Sequence, residues 1–233
     1  MAIFRWRERP LLIALALVIV LFFCDDLCAQ STISEQEPLH FHFGALALLV
    51  HQKSSKLVPL ASNSALTTGD RIKFFLETST AGFFYILHHG PDGALSLLYP
   101  LNLKKTKMPA GERAEIPEGT LWFELDTVTG VEKFFLLASS SRLLRLEELW
   151  ARHTNLKDRF ELSSSTRSLM AEIARLNKQS SSLAAAAEKP VRLAGKVRTL
   201  TQADPIVLPE NNTFAEEITA QGFYGKTFTI EHR

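Results

Sequence analysis

A chain of 233 residues suffices for one domain or two small ones, and its 46% hydrophobic and 22% charged content is that of a packed globular protein. That composition excludes wholesale disorder and a polytopic membrane protein. Its 26 basic and 25 acidic residues nearly cancel, so the positive footprint of a phosphate-neutralising protein is missing and no nucleic-acid partner is expected.

Arg5, Arg7 and Arg9 precede an uninterrupted apolar run from Leu11 to Phe23. The run is shorter than the ~20 residues a membrane-spanning helix needs and fits the apolar core of a secretory signal. Lengthening it to Cys28 would mean crossing Asp25 and Asp26, which argues against a span. In Leu27-x-Ala29 the alanine puts a small residue where signal peptidase needs one, so residues 1–29 are expected to be a signal peptide cut between Ala29 and Gln30. Phe23 is too bulky before Cys24 for lipidation. Both cysteines, Cys24 and Cys28, lie in the removed segment, so no disulfide is expected in the mature chain. The expected location is periplasmic or secreted, with membrane contact only if the N-terminal segment is retained as an anchor.

Residues 30–38 are polar and read as a tether. Residues 39–140 read as one β domain. His40-Phe41-His42-Phe43 alternates and then turns fully apolar through Val50, as a strand does when it passes from half exposed to buried. A loop is expected at Gln52 to Lys56. Thr67-Thr68-Gly69-Asp70 is a turn leading into a strand over Arg71 to Glu77. Phe83 to His88 and Leu95 to Pro100 flank Gly90-Pro91-Asp92-Gly93, an Asp-Gly hairpin signal. Lys104 to Gly111 is expected to be a basic loop, followed by strands over Glu112 to Ile116, Thr120 to Leu125 and Val131 to Ser139. Short strands at this spacing predict a sandwich or a barrel.

Beyond Ser139 the period changes. Leu143, Leu146 and Trp150, then Leu169, Ile173 and Leu176, recur at helical spacing, the second set capped from Ser164, Ser165 or Thr166. Residues 141–190 therefore read as two amphipathic helices packed on the sheet, ending in a Ser/Ala-rich linker. Residues 191–233 read as closing strands of the same domain, over Val191 to Leu200 and Gly222 to His232, returning to the same sheet. The fold class is mainly β, α+β overall: a sandwich with two appended helices.

Leu66-Thr67-Thr68-Gly69-Asp70-Arg71-Ile72-Lys73-Phe74, Gly82 to Leu87, Asp92 to Pro100, Ala110-Gly111-Glu112, Ile116-Pro117 and Leu137-Ala138-Ser139 follow in order across about Leu57 to Ser140. In this order and spacing they resemble a bacterial exported domain of unknown function, the DUF4384-like family. The resemblance implies a β-sandwich module found behind a signal peptide or fused to other domains of envelope-associated proteins, and it offers no catalytic residues to carry over. The region beyond Ser140 departs from the family's core.

No Gly-x-Ser-x-Gly elbow and no Gly-x-x-x-x-Gly-Lys loop occurs, which leaves two common enzyme signatures without support. His40 and His42 share one strand face and are the best metal candidates, whereas His88 and His89 point to opposite faces. No metal or other cofactor is expected, because same-face histidines are ordinary on exposed strands. Asp70, Asp92 and Asp126 stand in turns, where aspartate caps local amides. Candidate binding residues are Lys104, Lys105 and Lys107, which could meet an anionic polymer or an acidic partner, and Phe83 and Tyr85, which would form an apolar patch if the helices left that face open. The resulting expectation is an exported, non-catalytic module that binds a protein or an envelope component. The alternative is a metal-dependent or other hydrolase using the histidine pairs and turn aspartates.

Overall fold

The computed structural model describes residues 37–51, 54–182, 187–189, 199–201 and 215–233. The predicted cleavage site at Ala29 and Gln30 lies outside the described residues, as does most of the expected strand over Val191 to Leu200. The strands run β1 Pro38–His51, β2 Ser54–Pro59, β3 Ser64–Leu66, β4 Arg71–Thr78, β5 Gly82–His89, β6 Leu95–Tyr99, β7 Lys107–Met108, β8 Arg113–Ile116, β9 Phe123–Glu124 and β10 Gly130–Ser139. Two helices follow, α1 Leu144–His153 and α2 Arg159–Ser182, and then β11 Ala187–Lys189, β12 Thr199–Thr201, β13 Glu216–Gln221 and β14 Phe223–His232. No helix among the described residues is long and apolar enough to cross a membrane.

The first sheet is organised by β1, which pairs along its length with β4, while on its other side it pairs first with β13 and then with β2. β8 and β9 extend it from β4, and β11 and β12 extend it from β13 and β2. The second sheet runs β3-β14-β10-β5-β6, with β7 also on β5. Among the described residues the β3–β14 pairing is parallel and the other pairings are antiparallel. The protein is thus mainly β, a sandwich with two appended helices. The Asp92-Gly93 hairpin joins β5 to β6, with Gly93 at φ +82°, a backbone state that glycine adopts at no steric cost.

Between the sheets lies an aromatic core: Phe41, Phe43, Phe74, Phe84, Phe134, Tyr224 and Phe228 are all buried. Phe134 and Phe228 stack at 5.3 Å, and Phe74 contacts both. The outer face of the second sheet holds a second core in which Tyr85, Leu87, Phe135 and Leu137 meet Leu146 of α1 and Leu169, Ile173 and Leu176 of α2. The helices therefore pack on the sheet.

Several boundaries differ from the sequence expectation. The expected loop at Gln52 to Lys56 is largely strand β2, whose polar Ser-Ser-Lys start gives no alternation to read. The Thr120 to Leu125 strand shrinks to Phe123–Glu124, which pairs only with Arg71 and Ile72, while Trp122 turns its ring over Lys73. The Lys104 to Gly111 loop contains a 3-10 turn, Leu103–Lys105, and β7, with Thr106 and Met108 buried. α2 starts at Arg159, earlier than a cap at Ser164 to Thr166 implies, because the Asp158 carboxylate accepts the amides of Phe160 and Glu161 at 2.9 and 3.1 Å. The last strands do not return to one sheet. Gly222, at φ +69°, separates β13 in the first sheet from β14 in the second.

Candidate functional site

His40 and His42 project from β1 on the face opposite Phe41, both half-buried. His40 Nδ1 lies 3.1 Å from Thr219 Oγ1, and His42 stands opposite Glu77 and Glu217. Among the described residues no group of three or more His, Cys, Asp or Glu is placed to hold a metal ion. The turn aspartates are engaged locally. Asp70, 3% exposed, accepts the Val50 and Thr67 amides at 2.8 Å each and the Thr67 hydroxyl at 3.0 Å. Asp92 accepts the Ala94 amide and Asp126 the Val128 amide.

Two polar clusters join residues far apart in sequence. At one end of the inter-sheet core, the buried Glu132 of β10 meets His88 Nε2 of β5 at 2.6 Å and His232 Nδ1 of β14 at 3.2 Å. His232 Nε2 lies 3.2 Å from Thr68 Oγ1. The Glu132 carboxylate bridges the two rings through its two oxygens, and the other nitrogen of His232 faces the Thr68 hydroxyl. The cluster ties three strands to the turn before β4. His89, on the opposite face, has its pKa lowered by burial and by the neighbouring Lys133 and His88.

The second cluster fastens the helices. The Tyr85 hydroxyl donates to Glu147 Oε1 at 2.6 Å and accepts the Leu143 amide at 3.3 Å. Arg142 clasps the same carboxylate with Nε and a terminal nitrogen. Burial first, and then the bond to Glu147, push the Tyr85 phenol upward. Tyr85 is 1% exposed. It is therefore a buried anchor, and the open aromatic face that would have made it a binding residue is covered by α1 and α2.

The remaining candidates converge on one rim. Phe83 is half-buried against the second core, and Lys107 is its pairing partner on β7, so both side chains share the helix-side face. Lys104 is exposed in the 3-10 turn capped by Asn102, and Lys105 ends that turn. Arg142 donates to the Leu103 carbonyl at 3.3 Å, which draws the start of α1 against this loop. Around the lysines, Leu101 is 87% and Leu144 59% exposed. Arg145 reaches outward while pairing with the buried Glu172 at 3.2 Å. Sequence reading found the lysines and Phe83 but missed Leu101, Leu144, Arg142 and Arg145. Nothing local marks a leucine as exposed; the fold does so by turning inward the neighbouring Leu146, which is buried, and Leu103, which is partly buried.

A cavity of about 230 Å³ opens between Phe43, Leu60 and Phe228 beside the Lys226–Glu216 ion pair. Residues 65–142 match the model of a family described as a domain of unknown function, DUF4384. No curated protein and no solved structure matches the chain.

Proposed function

We propose that this chain, which carries a DUF4384 domain across β4 to β10, is an exported, non-catalytic β-sandwich module of the bacterial cell envelope that binds a protein or envelope component. The leader-like N-terminus supports export. The observation that carries the binding reading is the rim: Lys104, Lys107 and Phe83 gather there beside the exposed Leu101 and Leu144, whereas the neighbouring sheet face is sealed by helices. A cluster of cations around exposed apolar side chains is an arrangement that folding alone does not require. The engagement of Asp70, Asp92 and Asp126 with backbone amides counts against the hydrolase reading, because a carboxylate occupied in this way is poorly placed for acid–base work.

The test is crosslinked capture from the native envelope, with the N-terminus of the captured chain sequenced in the same sample. A start near Gln30 and a crosslinked component lost on Lys104→Glu with Lys107→Glu are the expected results. A chain retaining Met1, or capture indifferent to the rim, would contradict the proposal.

A further inference from the structure

Resting on the envelope reading, we infer that the rim formed by the β6–β7 loop and the start of α1 is a footprint for an anionic lipid surface. Leu101 and Leu144 stand 87% and 59% exposed, and transfer of such side chains out of water is favourable wherever an apolar layer is offered. Lys104 and Lys107 follow Leu101 in its loop and Arg142 and Arg145 flank Leu144, all four exposed, and the Arg142 bond to the Leu103 carbonyl joins the two segments. The carboxylates that pair with the two arginines lie beneath. Glu147 and Glu172 side chains are 7% and 3% exposed, whereas the arginines are 46% and 74% exposed. Glu148, one turn from Leu144 and 67% exposed, pairs with Arg152 at 3.9 Å, so exposed cations still outnumber exposed carboxylates along the start of this helix. Glu112 and Glu118 act on Tyr99, which packs into the inter-sheet core, away from the helix side.

This combination discriminates between ligand chemistries. A soluble polyanion would engage the four cations and leave both leucines in water. A folded protein partner would have to supply a fitted pocket for each exposed leucine. A bilayer surface supplies anionic headgroups for the cations and an acyl boundary for the leucines, and it demands no concavity.

The test uses protein purified from the envelope fraction, sedimented with vesicles of phosphatidylcholine alone or mixed with phosphatidylglycerol, with inorganic polyphosphate as competitor. The expected result is binding to the phosphatidylglycerol vesicles alone, weakened by salt. Reversing Lys104 and Lys107 to Glu should lower partitioning roughly tenfold or more, since each basic residue near such a surface contributes measurably. Changing Leu101 and Leu144 to Ser should lower it by roughly tenfold through lost apolar burial. Melting curves check the fold, and Lys104→Gln with Lys107→Gln replaces the reversal if the latter melts early. Equal binding to both vesicle types, binding untouched by both double variants, or binding that depends on the lysines alone and is competed by polyphosphate would each overturn the inference. The N-terminal residue of the same preparation reads export independently. A start near Gln30 without vesicle binding removes this inference and leaves the envelope reading intact.

Discussion

The two faces of the β5–β10–β14 sheet are both buried, by different means. The inner face is closed by aromatic packing, with Phe134 held between Phe74 and Phe228. Such contacts are set by shape and ring geometry, with no hydrogen bond to fix them. The outer face is closed by two helices, and their seating is fixed by directed bonds: Tyr85 and Arg142 to Glu147, and Asn177 Nδ2 to Thr227 at 3.2 Å. The comparison teaches that one sheet can take its stability from shape on one side and its helix register from hydrogen bonds on the other. Substitutions on the two faces should therefore fail differently.

The largest expected effect is on the inner face. Phe134→Ala should cost about 3–5 kcal/mol in chemical denaturation, through lost burial and a residual cavity, and it should lower the stability of the whole sandwich. On the outer face, Glu147→Ala strands a buried phenol and an arginine; a loss of about 2–3 kcal/mol is expected, with hydrogen exchange speeding first in α1. Gly225→Ala sharpens the same contrast. A Cβ there would fall 2.1 Å from Asn177 Oδ1, so α2 must shift or Asn177 rotate, at about 1–3 kcal/mol. Thr227, on the same strand face, would report the displacement as a lost bond.

A smaller effect should appear with pH. His153, packed at a tilt against Trp150 at 5.4 Å, has a buried Nδ1 without a hydrogen-bond partner among the described residues, and burial lowers its pKa. The folded state therefore favours the neutral ring. Its contribution is fully present above the unfolded value of about 6.5 and is lost as pH falls through the lower folded value. The stability difference between wild type and His153→Phe should shift against wild type as pH drops from about 7 to about 5; a flat difference would remove this assignment. The smallest effect belongs to the rim, where Leu101→Ser should alter stability by less than about 0.5 kcal/mol.

Much of the sandwich was legible in the sequence because its signals are local. Asp92-Gly93 announces a turn, and Phe83 to His88 and Val131 to Ser139 announce strands. The near-continuous apolar runs in β5 and β10 also reflect a sheet buried on both faces, which is how the helices come to be needed. β13 escaped notice because Glu216-Glu217-Ile218-Thr219 has few apolar residues, only one face of a strand being buried there. The Glu132 cluster escaped for another reason: its bonds to His88 and His232 span 44 and 100 residues. No spacing rule reaches across such separations. Of the candidate site, charge and aromatic character could be read directly; the exposure of Leu101 and Leu144, and the burial of Tyr85, depend on where α1 lands.

The division between a sealed sheet face and a working rim is best tested by amide hydrogen exchange on the chain with and without phosphatidylglycerol vesicles. Added protection confined to residues 101–107 and 142–145, with α2 and the sheet beneath it unchanged, is the predicted result. Accelerated exchange through α1 and α2 on binding would contradict it, since the helices would then be opening to expose the Tyr85 face as the true contact surface.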